Sequence, residues 1–202
     1  MEAICWSDYL CPWCYVGQSR SALLEQLGVT LTHLPYELHP EIGPAGAKIS
    51  PRGRLAPTFQ RVQKECESIG LEWRAPTRMP NTRRALETAE LVRTRYRGAF
   101  DELHRLLFDA HFAQGLELDD PEVIDSLVHR AGAPIEEVRS ALDAREGAPL
   151  LAQSHEKARA LGVSSTPTWV LDNEMVIPGA LDAVTLERWI RRIQSRQLSN
   201  DS

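Results

Sequence analysis

Two cysteines, Cys11 and Cys14, lie three positions apart near the start of the 202-residue chain, in the segment SDYLCPWCYVG. A pair at this spacing can bind a metal, form a structural disulfide or work as a redox dithiol. A thiolate at a helix N-terminus faces unpaired backbone N–H groups and the positive end of the helix dipole, which lower its pKa. The rest of the sequence has to separate these three interpretations.

A structural zinc site is disfavoured by the spacing of the other candidate ligands. Tetrahedral zinc needs four ligands, usually from a second cysteine pair or a closely spaced histidine pair. Cys5 and Cys66 are single, and the six histidines show no tight ligand spacing. We interpret Cys5 and Cys66 as packing residues, because free cysteine is among the most buried residue types. A zinc-stabilised binding module without enzymatic activity stays open as an alternative.

The elements around the cysteine pair favour the redox interpretation. Glu2 to Ser7 is predicted to form a short buried strand, and Pro12 suits the first position of a helix. That helix is expected to end at Gly28, and a second strand is predicted over Val29 to Leu38. The dithiol then lies at the strand–helix junction of a βαβ unit. In this context the cysteine pair is stronger evidence for redox chemistry than its spacing alone.

A long helical region separates this unit from the C-terminal part of the chain. Residues 40–57 contain many glycines and prolines and are predicted to be an irregular loop. Amphipathic helices are predicted at 58–70, at 82–98 with Asn81 as N-cap, at 99–114, at 120–132 with Asp120 as N-cap, at 134–144 and at 149–162. We interpret His104 and His111 as partly exposed residues of one such helix.

The C-terminal region is predicted to contain two strands followed by a last helix. Thr168 to Leu171 and Met175 to Ile177 are predicted strands, joined by a tight turn at Asp172-Asn173. Asp182 is predicted to cap a last helix, in which Trp189 is expected to pack in the core.

Thr166-Pro167 comes directly before the first of the two C-terminal strands. Proline is suited to the beginning of a strand, and an X-Pro bond there can be cis.

The two cysteines are expected to have different roles. Cys11 is predicted to be the more exposed sulfur and to attack the substrate disulfide, and Cys14 is predicted to resolve the mixed disulfide. Pro12 stiffens the turn, and Trp13 offers a flat apolar surface to a substrate. An arginine-rich helix, with Arg83 and Arg93 among its cations, is interpreted as a charged face paired with Glu87 and Glu90 rather than as a binding site for an anion.

The chain resembles the DsbA-like branch of the thioredoxin superfamily, and within it the FrnE-like cytosolic dithiol oxidoreductases. The segments that carry the resemblance are SDYLCPWCYVG, NTRRALETAELV, AHFAQGLELDDPEVIDSLVHRAG and GVSSTPTWVLDNEMVIPGA, which span most of the chain in the family's order. The resemblance implies an α/β thioredoxin-like fold (βαβ…ββα) with an inserted α-helical subdomain. Segments 1–40 and 160–202 would form the thioredoxin-like domain, and 41–159 the insertion.

The resemblance also implies a site and an activity. Pro167 would be a cis proline beside Cys11, and the backbone of Thr166 would hydrogen-bond a substrate strand. The implied activity is thiol–disulfide exchange on protein or small-thiol disulfides, without a metal or organic cofactor, and with glutathione as one candidate co-substrate. A neighbouring branch contains 2-hydroxychromene-2-carboxylate isomerases and kappa-class glutathione transferases. Its members typically carry serine at the position of Cys11 and lack Cys14, so the cysteine pair favours redox chemistry. A glutathione-dependent isomerase or transferase is the alternative enzyme.

The composition of the chain indicates which classes of partner and which location in the cell are favoured. A net charge of −5 argues against nucleic acid as the main partner, because phosphate binding favours a basic surface. No stretch approaches the roughly 18 apolar residues that a membrane span needs. The first ten residues have no basic region followed by a long apolar run, so we expect no secretory signal and a cytoplasmic location. The oligomeric state is not predicted.

Overall fold

The computed structural model describes residues 1–50 and 52–200, so Pro51 and the last two residues of the predicted segment 160–202 lie outside the described residues. The described strands are β1 Glu2–Ser7, β2 Thr30–Pro35, β3 Ala47–Lys48, β4 Arg78–Met79, β5 Thr168–Leu171 and β6 Met175–Pro178. The described helices are α1 Pro12–Gln26, α2 Ala56–Ile69, α3 Arg83–Arg95, α4 Arg97–Phe112, α5 Pro121–Arg130, α6 Ile135–Asp143, α7 Gly147–Ala160 and α8 Ala183–Asn200. The predicted α/β class is confirmed.

Strands from both ends of the chain form one mixed sheet in the order β2-β1-β5-β6. β1 is parallel to β2 and antiparallel to β5, with Trp6 opposite Thr168. Because antiparallel partners run in opposite directions, the residues that follow β1 lie at the same edge as those that precede β5. This pairing brings the cysteine motif next to the Thr166-Pro167 turn.

Local turn and cap chemistry matches the predictions at the C-terminal end. Asp172 and Asn173 both have positive φ, at 48° and 60°, and connect β5 to β6 as a tight hairpin. Asparagine and aspartate tolerate this left-handed conformation better than other residues that carry a Cβ. The Thr185 N–H donates to Asp182 Oδ1 at 2.9 Å, so the predicted cap of the last helix is also confirmed.

The helices between the two sheet segments share an apolar core with the start of α1. The Tyr9 ring lies 4.8 Å from that of Phe108, and the Tyr15 ring lies 5.3 Å from that of Phe112. Cys11 and Cys14 belong to the same buried cluster. Helix α4 therefore packs against the residues on both sides of Cys11. The division into segments 1–40 with 160–202 and 41–159 stays a prediction.

Several predicted boundaries are wrong, in places where long-range contacts decide the structure. The second strand is shorter than 29–38, and the predicted loop 40–57 contains β3 and the beginning of α2. Strand β3 exists because Ala47 pairs with Met79, far along the chain. At the next helix, Thr82 occupies the cap position, while Asn81 Oδ1 accepts the Arg83 N–H at 3.1 Å.

The predicted environments of three side chains are also wrong. His104 and His111 are buried, because α4 is surrounded by other elements, and His104 Nδ1 lies 2.9 Å from the Tyr9 hydroxyl. Trp189 is 45% exposed, since Leu186 and Ile190 take the core face of α8. The predicted burial of Cys5 and Cys66 is confirmed, as are ion pairs from the arginine-rich helix to Glu87 and Glu90.

Candidate active site

The cysteine motif begins helix α1, as the sequence predicts. Cys11 is the residue before the helix and Pro12 is its first residue. The Cys11 N–H donates to the Asp8 carbonyl at 3.0 Å, and the Cys14 N–H donates to the Cys11 carbonyl at 3.0 Å. These two bonds close a tight turn, which holds both thiols within the first helical turn.

The structure brings Thr166 and Pro167 to this turn. The Thr166-Pro167 peptide bond is cis, and the Cys11 thiol donates to the Thr166 carbonyl at a sulfur–oxygen distance of 3.4 Å. Pro167 packs against α1 at Gly17, where an added Cβ would lie 3.4 Å from Pro167 Cγ and 3.3 Å from a ring carbon of Trp169. Glycine at position 17 thus permits the close approach of α1 to the proline.

The two thiols differ more in acidity than in exposure. Cys11 is 5% exposed and Cys14 is 3% exposed, so the predicted order of exposure holds by a small margin and both thiols are buried. A hydrogen bond from the Cys14 thiol is the largest influence on Cys11 and lowers the pKa of Cys11, assisted by the Thr166 hydroxyl and the Cys14 backbone N–H. Burial raises the pKa of Cys14 well above the ordinary thiol value. Cys11 is therefore the more acidic thiol of the pair.

The Thr166 side chain is placed to respond to ionisation of Cys11. Its Oγ1 atom is buried and has no hydrogen-bond partner among the described residues. A buried hydroxyl without a partner costs free energy. When Cys11 becomes a thiolate, this hydroxyl supplies a hydrogen bond that lowers the pKa of the sulfur. Thr166 thus contributes its carbonyl to the thiol form and its hydroxyl to the thiolate form.

Asp8 is a buried acid that the sequence analysis did not select. Its carboxylate accepts hydrogen bonds from the Leu38 N–H at 2.7 Å, the Thr82 hydroxyl at 2.7 Å and the Leu10 N–H at 3.2 Å. Burial is the largest influence and raises the pKa of Asp8 to about 6. The signal in the sequence was a single carboxylate inside the otherwise uncharged run ICWSDYLCPW.

Trp13 lines a cavity beside Cys11, as its predicted role requires. The cavity has a volume of about 130 Å³. Its other walls come from α2, from α4, from the residues that follow β2 and from those around β3 and β4, which the sequence analysis did not connect to the site. Thr166 and Pro167 do not line it. Among the described residues, no cluster of three or more histidine, cysteine or acidic side chains could hold a metal ion.

We expect Thr166→Val to raise the pKa of Cys11, because valine keeps the shape of threonine but removes the hydroxyl that supports the thiolate. Thr166→Ser keeps the hydroxyl and is the matched control. The measurement is the rate of Cys11 alkylation as a function of pH, with the modified residue identified by mass spectrometry. Equal Cys11 pKa values in the valine and serine variants would contradict this role for Thr166.

Asp8 makes the free energy of unfolding depend on pH. Its pKa is raised from 3.8 to about 6, so the folded state binds this proton more tightly than the unfolded state does. Stability therefore falls as pH rises from about 4 to about 6, by about 3 kcal/mol from this group. Urea unfolding of the wild type and of Asp8→Asn should give a stability difference, wild type minus variant, that decreases over this range. A difference that is constant with pH would refute it.

In comparisons with known proteins, residues 3–191 match the DSBA-like thioredoxin domain. A search of curated proteins gave no match. In the part of the chain that the structure describes, no helix is long and apolar enough to cross a membrane.

Solved structures with the same fold include a probable DsbA oxidoreductase from Streptomyces coelicolor, with a TM-score of 0.84, 24% identity and coverage of 96% of this chain and 90% of that chain. A 2-hydroxychromene-2-carboxylate isomerase has a TM-score of 0.77 and 20% identity, with 100% of each chain covered. The cytosolic disulfide reductase DsbM from Pseudomonas aeruginosa, solved with GSH, has a TM-score of 0.66 and 17% identity, covering 98% of this chain and 100% of that one.

At these identities the similar structures establish the fold, and the predicted thioredoxin-like fold is confirmed. The family match extends over most of the sequence, including both the cysteine motif and the proline turn. The chain therefore belongs to the DSBA-like thioredoxin domain family.

Proposed function

We propose that this protein is a thiol–disulfide oxidoreductase whose redox centre is the Cys11–Cys14 dithiol. The observation that carries the proposal is the placement of both thiols in the first turn of α1 beside the cis Thr166-Pro167 bond, in an environment that lowers the pKa of Cys11 and raises that of Cys14. A dithiol used for exchange needs one sulfur that is nucleophilic and a second that stays protonated until the mixed disulfide has formed.

The exchange proceeds in two steps that balance in atoms and electrons. The Cys11 thiolate attacks one sulfur of a substrate disulfide, forms a mixed disulfide and releases the other sulfur as a thiolate, which takes up a proton. Cys14 then loses its proton and attacks the Cys11 sulfur, which releases the second substrate thiol. The substrate disulfide is reduced to two thiols, and Cys11 and Cys14 are oxidised to a disulfide. The reverse sequence oxidises a substrate dithiol.

Thr166, Pro167 and Trp13 are proposed to hold the substrate. The Thr166 carbonyl bonds the Cys11 thiol in the free protein, and ionisation of Cys11 frees it to accept an N–H from the substrate backbone. Pro167 has no N–H that would compete for substrate carbonyls. Trp13 forms an apolar wall beside the attacking sulfur. Substrates are protein or small-molecule disulfides, for which glutathione is one candidate thiol partner.

The proposed reaction requires no metal and no organic cofactor, because the electrons pass directly between sulfur atoms. A reducing cytoplasm is the proposed location. Four cysteines in a chain of this length do not form a disulfide scaffold, and thiols are kept reduced in that compartment.

Cys14→Ser tests the division of roles between the two sulfurs. The variant keeps the nucleophile but lacks the resolving thiol, so mixed disulfides should accumulate on Cys11 and turnover should fall to near the background rate. The measurement is intact-mass spectrometry together with a disulfide reduction assay. Cys66→Ser is the control, because Cys66 is buried on α2 and takes no part in the proposed exchange.

Three outcomes separate the alternatives. Trapped substrate on Cys11 supports the exchange reaction. A Cys14→Ser protein that keeps its full activity with glutathione and traps no substrate would contradict the proposal and favour a glutathione-dependent isomerase or transferase. Loss of bound zinc together with the fold would favour the zinc-stabilised module instead.

A further inference from the structure

The cavity beside Cys11 has mainly apolar walls. Half-buried side chains surround about 130 Å³ next to the sulfur, among them Trp13, Leu55, Phe59 and Met79. An engineered cavity of roughly 150 Å³ with apolar walls binds one benzene-sized ring. The space beside Cys11 is therefore suited to a single apolar or aromatic side chain.

The only arginine or lysine among the described residues of the cavity lining has no free positive charge to offer. Arg78 Nη1 donates to Glu117 at 2.6 Å, and Nη2 donates to Asp119 at 2.5 Å. Nε and Nη2 also donate to the Ala45 carbonyl, at 3.2 and 2.8 Å. Two carboxylates thus neutralise one guanidinium, and the group is held as part of the cavity wall.

The two histidines of the lining add no unpaired cation. Burial lowers the pKa of His111, so His111 is neutral at neutral pH. His39 Nδ1 lies 2.7 Å from a carboxylate oxygen of the exposed Glu41. Lys48, Arg52 and Arg54 are exposed on the segment that leads to α2, but they lie outside the lining. The cavity therefore has an apolar surface without an unpaired cation.

Given the proposed exchange reaction, we propose that this cavity selects polypeptide disulfides in which an apolar or aromatic residue adjoins the attacked cysteine. The side chain enters between Trp13 and Phe59 while the cysteine sulfur meets Cys11. Glutathione disulfide is a poor substrate, because its carboxylates give it a net negative charge and charged groups lose hydration in an apolar cavity without a cation to pair with.

The test compares kcat/KM for three disulfides: a neutral peptide disulfide with phenylalanine next to cysteine, the same peptide with alanine at that position, and glutathione disulfide. The phenylalanine peptide should be preferred over the alanine peptide by about tenfold, as expected for one well-fitted apolar group. Leu55→Ala enlarges the cavity and Leu55→Trp fills it, and both should bring this ratio close to one. Ile69→Ala, an exposed position at the end of α2, should leave the ratio unchanged.

A second pair of variants tests the charge argument. Glu117→Gln leaves Arg78 with one carboxylate partner fewer, so kcat/KM for glutathione disulfide should rise severalfold relative to the phenylalanine peptide. Glu122→Gln changes the net charge equally at an exposed position on α5 and is the control. Equal kcat/KM values for all three disulfides, or a wild-type preference for glutathione disulfide, would overturn this inference and leave the exchange reaction standing. Failure to turn over any of them would instead contradict the proposed function.

Discussion

The interaction between two buried thiols in one helical turn sets the acidity of each of them. Both sulfurs lie in the first turn of α1, and burial alone would raise the pKa of each. The bond from Cys14 lowers the pKa of Cys11, while burial raises the pKa of Cys14. The thiolate form of Cys11 is thereby stabilised, and the protonated form of Cys14 is favoured. The surrounding structure has to hold the two sulfurs in this relation.

Several parts of the fold serve that requirement. The antiparallel pairing of β1 with β5 places Thr166 against Cys11, and Gly17 allows Pro167 to pack closely on α1. The Asp8 carboxylate connects the cysteine motif by hydrogen bonds to the residues after β2 and to the start of α3. The same carboxylate opposes ionisation of Cys11 through charge repulsion. The acidity of Cys11 therefore reflects a balance between hydrogen bonds that favour the thiolate and a buried negative charge that disfavours it.

The parts of the fold that depend on local chemistry could be predicted from the sequence. Pro12 at the helix start, Asp172-Asn173 in the hairpin and the Asp120 cap follow from backbone preferences of single residues. The position of Thr166 near the cysteines came from the resemblance to a family. What could not be predicted depends on which elements pack together. His104 is buried because α4 is enclosed, Trp189 is exposed because its neighbours occupy the core, and the cavity beside Cys11 unites residues from α1, α2 and β4. Periodicity in one segment carries no information about these neighbours.

The most direct test of the account is a titration of the reduced wild-type protein with isotope-labelled cysteine, in which the Cβ resonance of each residue is followed by NMR. The account predicts that Cys11 ionises first, with a pKa below the ordinary thiol value, while Cys14 stays protonated throughout the range in which Cys11 is a thiolate. Ionisation of Cys14 before Cys11, or a pKa of Cys11 above the ordinary value, would contradict it.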